Sequence, residues 1–568
     1  MGYRRKLTGA AVLTASLTLT AAGLVSAPAN AEAGATTEYT VVAADNVSTA
    51  DATAAIVKAG GKVTGSTSDV GMFTVVAPQN GFVEKAANTA GLVGATRKTV
   101  IGRAPKKQQP GEVEREAQQA AAAAKRGGGK KPATAGMDPL DDKLWGLTAV
   151  KSDKARKVNA GDKRVTVGIL DTGVDASNPD IAPNFNWALS KNFAKDMPDI
   201  DGPCEVASCL DPVGTDDGGH GTHVAGTIGA AANGIGVSGV APNVSLVELK
   251  GGQDSGYFFL EPVVNALVHA ANNGVDVVNM SFYVDPWAYN CLGNPADSPA
   301  AQAEQRTTIK AMFRALTYAH TKGVTLISAL GNNHEDKGKP RTDISSPDYP
   351  ADSAYDRPIQ NSSCWDLPTE GPFVLSVSAL GPSLNKADYS DYGVERTAVS
   401  APGGYFRDGL GTDTYRTPGN EILSTYPKKV LQEEGSVDAD GNVLPEFADS
   451  VFKQCTAAGQ CGYYTYLQGT SMASPHAAGV AALIVSAHGT KQGRGGFGLE
   501  PWKVEYLLLS TAAEHACPEP RTVSYVNVGR SAEFDATCEG SKQFNGFYGH
   551  GIVDAYAAVT AHAWWEHH

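Results

Sequence analysis

A serine at the start of an apolar helical pattern could carry out nucleophilic chemistry. The segment Gly469–Gly479 presents Ser471 among small residues, and the apolar helical pattern continues to Ile484. Pro475 suits the first turn of a helix, where a backbone N–H has no partner within the helix. The N–H groups at a helix start stabilise the negative oxygen that forms when a hydroxyl attacks a carbonyl group. We therefore predict that Ser471 is a nucleophile.

A histidine that could serve as its base lies at the start of another small-residue helix. The segment Gly218–Thr227 places His220 at that start. Histidine titrates near about 6.5, so its neutral form accepts a hydroxyl proton close to neutral pH. Asp171, which follows a buried apolar strand, could fix the tautomer of this imidazole and stabilise its charged form. The three side chains together predict catalysis by a serine, a histidine and an aspartate.

The same histidine segment also permits a metal site. His220 and His223 are three residues apart and could bind zinc together with Asp171 or Asp217. This alternative leaves the Ser471 segment without a role. We therefore favour serine catalysis and interpret His223 as a structural residue.

Short apolar strands alternate with helical patterns after residue 137. The predicted strands span 165–170, 244–249, 275–280, 324–328 and 374–377, and helices are predicted at 262–272, 305–320 and 472–488. Such alternation is typical of an α/β fold, in which helices cover both faces of a mainly parallel sheet. Ligands bind such sheets beyond the carboxyl ends of the strands, which is where Asp171 lies.

A small unit with a different pattern precedes the α/β part of the chain. Strand and helix patterns between Tyr39 and Val100 follow the order β-α-β-β-α-β, which predicts a ferredoxin-like α+β unit. The unit lies between a secretory signal and a segment that could be cleaved. We therefore interpret it as a propeptide domain rather than as an accessory domain.

The first 31 residues have the pattern of a secretory signal peptide. The positive charges of Arg4–Lys6 precede an apolar run that reaches Val25, and Ala29–Ala31 offers a small-residue cleavage site. A membrane anchor is the weaker interpretation, because serine and threonine interrupt the run. We expect an extracellular, secreted protein that has no membrane partner once the signal is removed.

Charge is distributed unevenly along the chain, whose net charge is −13. Residues 32–136 contain 13 basic and 9 acidic residues, whereas the chain from Met137 onward contains 31 basic and 51 acidic residues. The excess base lies in a Gln-, Ala- and Gly-rich segment that is typical of an exposed linker. The acidic remainder argues against a nucleic-acid partner. The predicted parts are a signal peptide at 1–31, a propeptide domain at 32–102, a linker at 103–136, a catalytic domain at 137–562 and a tail at 563–568.

Eight cysteines are consistent with disulfide bonds in an exported protein. Three pairs are close in sequence, and the fourth pair consists of the two cysteines that remain. These pairs are Cys204 with Cys209, Cys455 with Cys461, Cys517 with Cys538, and Cys291 with Cys364. Eight cysteines allow 105 connectivities in principle, so this pairing is a hypothesis.

Three segments resemble the signatures of the subtilisin family of serine proteases. Asp171–Gly173, His220–His223 and Gly469–Ala473 occur in that family's order of Asp, His and Ser. The resemblance extends from Leu144 to Asp554, which is most of the chain after the linker. It implies a subtilisin-like, doubly wound sheet. It also implies that the upstream unit assists folding and inhibits the protease, as an intramolecular partner, until it is cleaved.

The resemblance also implies the role of each catalytic residue. Ser471 is the nucleophile, His220 the general base and acid, and Asp171 its orienting carboxylate. Asn332, which follows a buried strand, matches the asparagine that completes the family's oxyanion hole. No cofactor is implied for catalysis. We expect a monomer that acts on protein or peptide substrates.

Two further segments resemble the strands that bind the substrate in this family. Extended peptides bind to such edges through backbone hydrogen bonds. The implied substrate-binding residues are Ser255, Gly256, Ser281, Phe282, Leu330 and Gly331. Tyr283 stands where glycine is usual in the family, so its side chain would narrow the cleft. A tripeptidyl aminopeptidase and a non-catalytic peptide-binding relative are the alternatives to a secreted endopeptidase.

A calcium site is implied as well. Asp180 matches a carboxylate ligand of the family's tight site, and the loop after the histidine helix matches the remaining oxygen ligands. The implied loop ligands are Ala231, Asn233, Ile235 and Val237. Carboxylate, amide and carbonyl oxygens suit calcium. The ligand that comes from the start of the mature chain cannot be placed from the sequence.

Overall fold

The computed structural model describes residues 35–98, 113–121, 138–350, 352–492 and 496–562. The predicted signal peptide, most of the predicted linker and the tail lie outside these ranges. The described residues from Thr36 onward belong to one compact unit. Within the same ranges, no helix combines the length and the apolar character that are needed to cross a bilayer.

Helices and strands follow one another along the described chain. The helices are α1 (Thr49–Ala59), α2 (Phe82–Ala87), α3 (Glu116–Ala121), α4 (Trp145–Ala149), α5 (Ser152–Ala155), α6 (Pro198–Asp201), α7 (His220–Gly229), α8 (Leu260–Asn272), α9 (Pro299–Thr321), α10 (Lys428–Glu433), α11 (Thr470–His488), α12 (Pro501–Ser510) and α13 (Ala555–Thr560). The strands are β1 (Thr36–Ala43), β2 (Lys62–Thr67), β3 (Met72–Pro78), β4 (Leu92–Arg97), β5 (Thr166–Asp171), β6 (Lys191–Asn192), β7 (Ser245–Lys250), β8 (Val277–Met280), β9 (Asn290–Cys291), β10 (Thr325–Ala329), β11 (Arg341–Asp343), β12 (Arg357–Ile359), β13 (Cys364–Trp365), β14 (Val374–Leu380), β15 (Val399–Pro402), β16 (Ile422–Tyr426), β17 (Val451–Cys455), β18 (Cys461–Leu467), β19 (Thr490–Gln492), β20 (Gly496–Gly498), β21 (Thr522–Val523) and β22 (Ala536–Thr537).

The upstream unit is a small antiparallel sheet with two helices. Its strand order is β2-β3-β1-β4, and β1 pairs antiparallel with both β3 and β4. Helix α1 begins after Ser48, whose side chain accepts a hydrogen bond from Asp51 N, and it ends at Gly60 with a φ of 97°. The predicted β-α-β-β-α-β order of elements is confirmed.

A seven-stranded parallel sheet forms the centre of the larger part. Its strand order is β15-β14-β10-β8-β5-β7-β6, and each neighbouring pair is parallel. Successive residues of β5 enter different cores: Ile169 packs with α7 and α11, and Leu170 packs with α8 and α9. Because successive side chains of a strand point to opposite faces, helices cover both faces of the sheet. The predicted α/β fold is confirmed.

The small sheet packs on α8 and α9 through polar contacts. Thr74 Oγ1 donates a hydrogen bond to Glu261 Oε1 at 2.6 Å. Asp45 forms ion pairs at 2.7 Å with Lys310 and with Arg314. The upstream unit therefore contacts helices that also pack against the parallel sheet.

Four disulfide bonds join all eight cysteines. The pairs are Cys204–Cys209, Cys291–Cys364, Cys455–Cys461 and Cys517–Cys538. The predicted pairing is confirmed. The bond between Cys291 and Cys364 links β9 and β13, which also pair as antiparallel strands. It lies in the part of the chain between the histidine and serine segments.

Candidate active site

Asp171 and His220 meet at one edge of the parallel sheet. Asp171 is the last residue of β5 and is fully buried, and His220 is the first residue of α7. His220 Nδ1 lies 2.7 Å from Asp171 Oδ1, which also accepts a hydrogen bond from Thr172 N at 2.9 Å. With Nδ1–H donating to the carboxylate, Nε2 is the nitrogen that exchanges a proton with other groups.

Asp216 holds the helix that carries His220, and sequence analysis missed it. Its Oδ1 accepts hydrogen bonds from Gly219 N at 2.8 Å and Thr172 Oγ1 at 2.9 Å. Its Oδ2 accepts from Thr222 N at 2.8 Å and from the hydroxyl of the same threonine at 2.6 Å. This carboxylate therefore ties the turn after β5 to the first turn of α7. Its sequence signal was an acidic residue shortly before a predicted helix start.

His223 is buried among backbone carbonyls. Its Nε2 lies 3.0 Å from Ile422 O and 3.2 Å from Thr465 O, so this nitrogen donates. Burial, together with the charge of His220, lowers the pKa of His223 to about 3. Asp217, a ligand in the zinc alternative, instead forms an ion pair with Lys429 at 2.7 Å. These contacts agree with the structural role predicted for His223.

Ser471 lies in the first turn of α11, and Asn332 contacts the same turn. The prediction that Pro475 also lies in the first turn is wrong, because α11 already begins at Thr470 and Pro475 lies inside the helix. Asn332 Oδ1 accepts hydrogen bonds from Thr470 N at 2.9 Å and Thr470 Oγ1 at 2.8 Å. These bonds leave the amide Nδ2 to donate toward the neighbourhood of Ser471. Gly469 has a φ of 151°, and a Cβ placed on it would stand 3.4 Å from Asn332 Nδ2. The glycine therefore allows the backbone to approach this amide closely.

A carboxylate from the upstream segment reaches the same groups. Glu114 Oε1 lies 3.7 Å from His220 Nε2, and the Glu114 side chain is hydrogen-bonded with Ser471. The same oxygen would stand 3.3 Å from a Cβ on Gly469, close to the amide of Asn332. Since one carboxylate contacts both His220 and Ser471, the structure brings the predicted residues together in a single site.

The two flanking carboxylates determine the charge of His220. Burial alone would lower the pKa of His220, but the charges of Asp171 and Glu114 raise it well above its usual value. Burial also opposes ionisation of Glu114, yet the charge of His220 and hydrogen bonds from His220 and Ser471 hold the pKa of Glu114 below its usual value. The two carboxylates therefore favour the protonated form of His220, and this form cannot accept a proton from the serine.

Residues 113–121 pack on the larger part of the chain. Gln468 N donates to Glu114 O at 3.2 Å, and Gln468 Nε2 donates to Val113 O at 2.9 Å. Glu114 and Arg115 are only 8% and 7% exposed. The prediction of an exposed linker is wrong for these residues, because their partners are buried groups far away in the sequence.

Ser255 and Gly256, which form the first predicted substrate-binding edge, lie in a tight turn. Ser255 N donates to Asp201 Oδ1 at 3.0 Å, and Gly256 N donates to Gln253 O at 2.9 Å. A segment between β11 and β12, which contains Asp348 and Tyr349 and which we call the inserted segment, covers this turn, because the ring of Tyr349 packs 5.8 Å from that of Tyr257. The backbone N–H groups of Ser255 and Gly256 are thus already hydrogen-bonded.

Ser281 and Phe282 belong to the second predicted substrate-binding edge, which contacts α11, the helix that carries Ser471. Ser281 Oγ donates to Ser471 O at 3.3 Å and lies 2.9 Å from Ser474 Oγ, so its hydroxyl supports the start of α11. The ring of Phe282 stacks on that of Phe258 with centroids 4.0 Å apart. Tyr283, two residues after Ser281, donates its hydroxyl proton to the same inserted segment, at Asp348 Oδ2.

Leu330 and Gly331 connect the Asn332 turn to the rest of the site. Leu330 is fully buried, and Gly331 N donates to Thr470 Oγ1 at 3.1 Å. Gly331 has a φ of 122°, and a Cβ there would stand 2.2 Å from Asp391 Oδ2. Glycine is therefore required at this position by both conformation and space.

The residues of the implied calcium site lie together. Asp180 Oδ2 accepts from Val237 N at 2.9 Å and from Tyr464 OH at 2.8 Å, whereas Asp180 Oδ1 is buried without a hydrogen-bond partner. Asp138 Oδ1 accepts from Gly234 N at 2.6 Å, and its Oδ2 is likewise buried without a partner. Two such oxygens beside one loop fit a hard cation.

The other implied calcium ligands are parts of the same loop. Asn233 Oδ1 accepts from Ile235 N at 3.2 Å, while Asn233 Nδ2 donates to Pro179 O at 3.0 Å. Ala231 N donates to Asp180 O at 2.8 Å. These hydrogen bonds close the loop around the Asp180 segment and leave the backbone carbonyls of Ala231 and Ile235 as possible ligands.

A second group of acidic residues lies near β7. Ligand atoms of Asp196, Glu205, Asp211 and Asp254 all lie within 4.8 Å of one another. Lys250 is fully buried beside them, 2.6 Å from Asp254 Oδ1 and 3.2 Å from Asp211 Oδ2. The lysine therefore already supplies positive charge to this group.

Comparisons with known proteins address the family of this chain. The family described as the Subtilase family, Peptidase S8, matches residues 162–551. Subtilisin DY from Bacillus licheniformis is 29% identical over 346 residues, which cover 61% of this chain and 85% of that protein. Fervidolysin from Fervidobacterium pennivorans is 27% identical over 389 residues, which cover 66% of this chain and only 41% of that protein.

A solved structure shows the same fold. The epidermin leader peptide processing serine protease from Staphylococcus aureus aligns with a TM-score of 0.59 at 20% identity, covering 93% of this chain and 99% of that one. The family match spans well over half of the chain, and its members are peptidases that act on peptide bonds. The chain therefore belongs to the subtilase family of serine peptidases.

Proposed function

We propose that this subtilase is a secreted endopeptidase, made as a precursor that processes itself, in which Ser471, His220 and Asp171 form the catalytic triad. One observation carries the proposal: the two nitrogens of His220 face the Asp171 carboxylate and the Glu114 carboxylate, and Glu114 also contacts Ser471. A substrate carbonyl in place of the Glu114 carboxylate would meet both the hydroxyl and the imidazole.

The geometry supports the following reaction once Glu114 has left. Ser471 Oγ attacks the carbonyl carbon of the peptide bond while its proton passes to His220 Nε2, and Asp171 stabilises the resulting imidazolium. Asn332 Nδ2 and the Ser471 N–H donate to the oxyanion. The imidazolium then protonates the leaving amine, which forms an acyl-enzyme. Water, deprotonated by His220, releases the acid and restores the hydroxyl.

The upstream unit acts as an intramolecular inhibitor in this proposal. Its sheet packs on α8 and α9, and Glu114, which follows it in the chain, contacts the nucleophile and keeps the imidazole protonated. The predicted signal peptide and the four disulfide bonds support secretion. Asp180 and Asp138 would hold a structural calcium ion, which stabilises the loop at 231–237 and takes no part in catalysis. The working form is a monomer.

A tripeptidyl aminopeptidase is the second candidate, because an inserted segment packs on both predicted edges. Tyr257 OH donates to Asp348 O at 3.3 Å, and Tyr283 OH donates to Asp348 Oδ2 at 2.7 Å. Contacts of this kind could close one end of the cleft. Sequencing the products of an unstructured protein separates the two candidates: internal fragments indicate an endopeptidase, and tripeptides released from the N-terminus indicate the exopeptidase.

Labelling with a fluorophosphonate tests the catalytic proposal. The wild-type protein and a Ser208→Ala control, which alters an exposed serine, should be labelled and should hydrolyse peptides. Ser471→Ala should be neither labelled nor active, although its circular dichroism spectrum is unchanged. Activity of the folded Ser471→Ala protein would refute the proposal.

A further inference from the structure

Arg115 occupies an acidic pocket next to the candidate catalytic centre. Its Nη1 lies 2.6 Å from Glu434 Oε1, and its Nη2 donates to Tyr426 OH at 2.8 Å. Tyr426 OH in turn donates to Glu434 Oε1 at 3.2 Å. Tyr426 is fully buried, and the Glu434 side chain is 16% exposed. A buried guanidinium that contacts both a carboxylate and a hydroxyl is held far more strongly than a charge in a surface ion pair.

Glu116, the residue after Arg115, contacts two arginine side chains. Glu116 Oε1 lies 2.5 Å from Arg407 Nη2, and Glu116 Oε2 lies 3.0 Å from Arg530 Nη2. Asp388 holds Arg530 in place at 2.5 Å. Two consecutive side chains of the segment are therefore each matched by groups of opposite charge.

The backbone of residues 114–117 is also hydrogen-bonded to the larger part of the chain. Gln468 N donates to Glu114 O at 3.2 Å, and Ala117 N donates to Glu421 Oε1 at 3.1 Å. Gln468 lies three residues before Ser471, and Glu421 immediately precedes β16. Glu114 lies at His220 and Ser471, and residues 115–117 follow it in the C-terminal direction, which is the direction of the leaving part of a bound peptide. The segment thus lies along the wall where the leaving part of a peptide would bind.

We propose that Glu434 and the Tyr426 hydroxyl form a specificity subsite for an arginine side chain of the substrate, on the leaving-group side of the cleaved bond. The inference rests on the proposed peptidase function. Arg407 and Arg530 form the adjoining subsite for an acidic side chain. Residues 114–117 bind to the same groups as a substrate would, and must leave before a substrate enters.

The chemistry of the pocket favours arginine over other residues. A planar guanidinium presents separate N–H groups to Glu434 and to Tyr426, whereas a lysine ammonium offers one compact charge. Burial raises the pKa of Glu434 even though the charge of Arg115 opposes this shift. After the segment leaves, the buried carboxyl group therefore gains from a new cationic partner.

A cleavage profile measures this preference directly. The purified full chain, after its own processing, is incubated with a denatured protein mixture. Arginine should then be enriched at one fixed position on the C-terminal side of the cleaved bonds. Two peptides that differ only in arginine or citrulline at that position should differ about tenfold or more in kcat/KM, as expected for hydrogen bonds to a charged group.

Three variants test whether the preference for arginine comes from Glu434 and the Tyr426 hydroxyl. Glu434→Gln should reduce the arginine-to-citrulline ratio close to one, whereas Glu433→Gln, which alters the exposed neighbour, should retain it. Tyr426→Phe keeps the buried ring and should reduce the ratio in part; it also carries the test if thermal unfolding shows that Glu434→Gln does not fold. Active enzyme is counted by fluorophosphonate titration in each case.

The outcomes separate this inference from the proposed function. Cleavage that requires Ser471 but shows no arginine preference, or a preference that survives in folded Glu434→Gln, overturns the subsite alone. Absence of cleavage by the wild-type protein, or cleavage by Ser471→Ala, overturns the proposed function as well.

Discussion

Glu114 Oε1 lies 3.7 Å from His220 Nε2, while Asp171 Oδ1 lies 2.7 Å from Nδ1 of the same ring. Each nitrogen of the imidazole thus faces a carboxylate. This arrangement stabilises the imidazolium and prevents it from acting as a base. In the proposed precursor, the ion pair between Glu114 and His220 would therefore block the site electrostatically as well as by occupying space.

Replacing Glu114 should allow Ser471 of the unprocessed chain to react with a fluorophosphonate at lower pH. The pKa of His220 is raised in the folded chain. The stability that the ion pair between His220 and Glu114 contributes is therefore fully present below the unfolded pKa of about 6.5 and is lost as pH rises through the raised pKa. Glu114→Gln removes one of the two negative charges and lowers the pKa of His220. The pH profile of fluorophosphonate labelling in the unprocessed chain should shift to lower pH. Glu84→Gln is the control, and an unchanged profile in Glu114→Gln would contradict this role.

Removing the amide of Asn332 should reduce turnover. Asn332→Ala removes one donor to the oxyanion, so kcat should fall by about a hundredfold or more while KM changes little. Steady-state kinetics on a peptide substrate measure both constants. A decrease that appears mainly in KM would instead assign Asn332 to substrate binding.

Asp216 should be required for the stability of the His220 turn. Asp216→Ala leaves the buried N–H groups of Gly219 and Thr222 without acceptors, at a cost of about 1–3 kcal/mol for each unsatisfied group. Denaturant unfolding in a Ser471→Ala background avoids self-digestion. Asp217→Ala removes only an ion pair with a half-exposed lysine and should cost less than about 1 kcal/mol. Equal losses in the two variants would argue against the capping role of Asp216.

Calcium should stabilise the protein through Asp180 and Asp138. A cation present at about 100 times its Kd adds about 2.7 kcal/mol to the free energy of unfolding, so a chelator should lower the Tm. In Asp180→Asn and in Asp138→Asn the effect of the chelator should be reduced. If the wild-type Tm does not respond to chelator and elemental analysis detects no calcium, the site does not bind this ion.

Local sequence patterns were sufficient to locate the main elements of the site. Asp171 at the end of a strand, together with His220 and Ser471 at helix starts, occupies positions that short-range rules define. Continuous apolar strands predicted the buried parallel sheet, because strands covered on both faces have no polar side. The sequence by itself therefore determined the α/β class and the candidate triad, whereas it supplied the cysteine pairs only as a hypothesis, which the structure confirmed.

Only the tertiary structure decided what surrounds that site. The basic, Ala-rich composition of residues 103–136 predicted an exposed linker, yet Glu114 and Arg115 are buried against partners about 100 to 360 residues further along the chain. Asp138 and Glu434 were missed for the same reason, whereas Asp216 had a local signal, an acidic residue just before α7, that the sequence analysis did not use. Their roles depend on which backbone groups and charges the fold brings within a few ångströms, and this information is not present in any local pattern of residues.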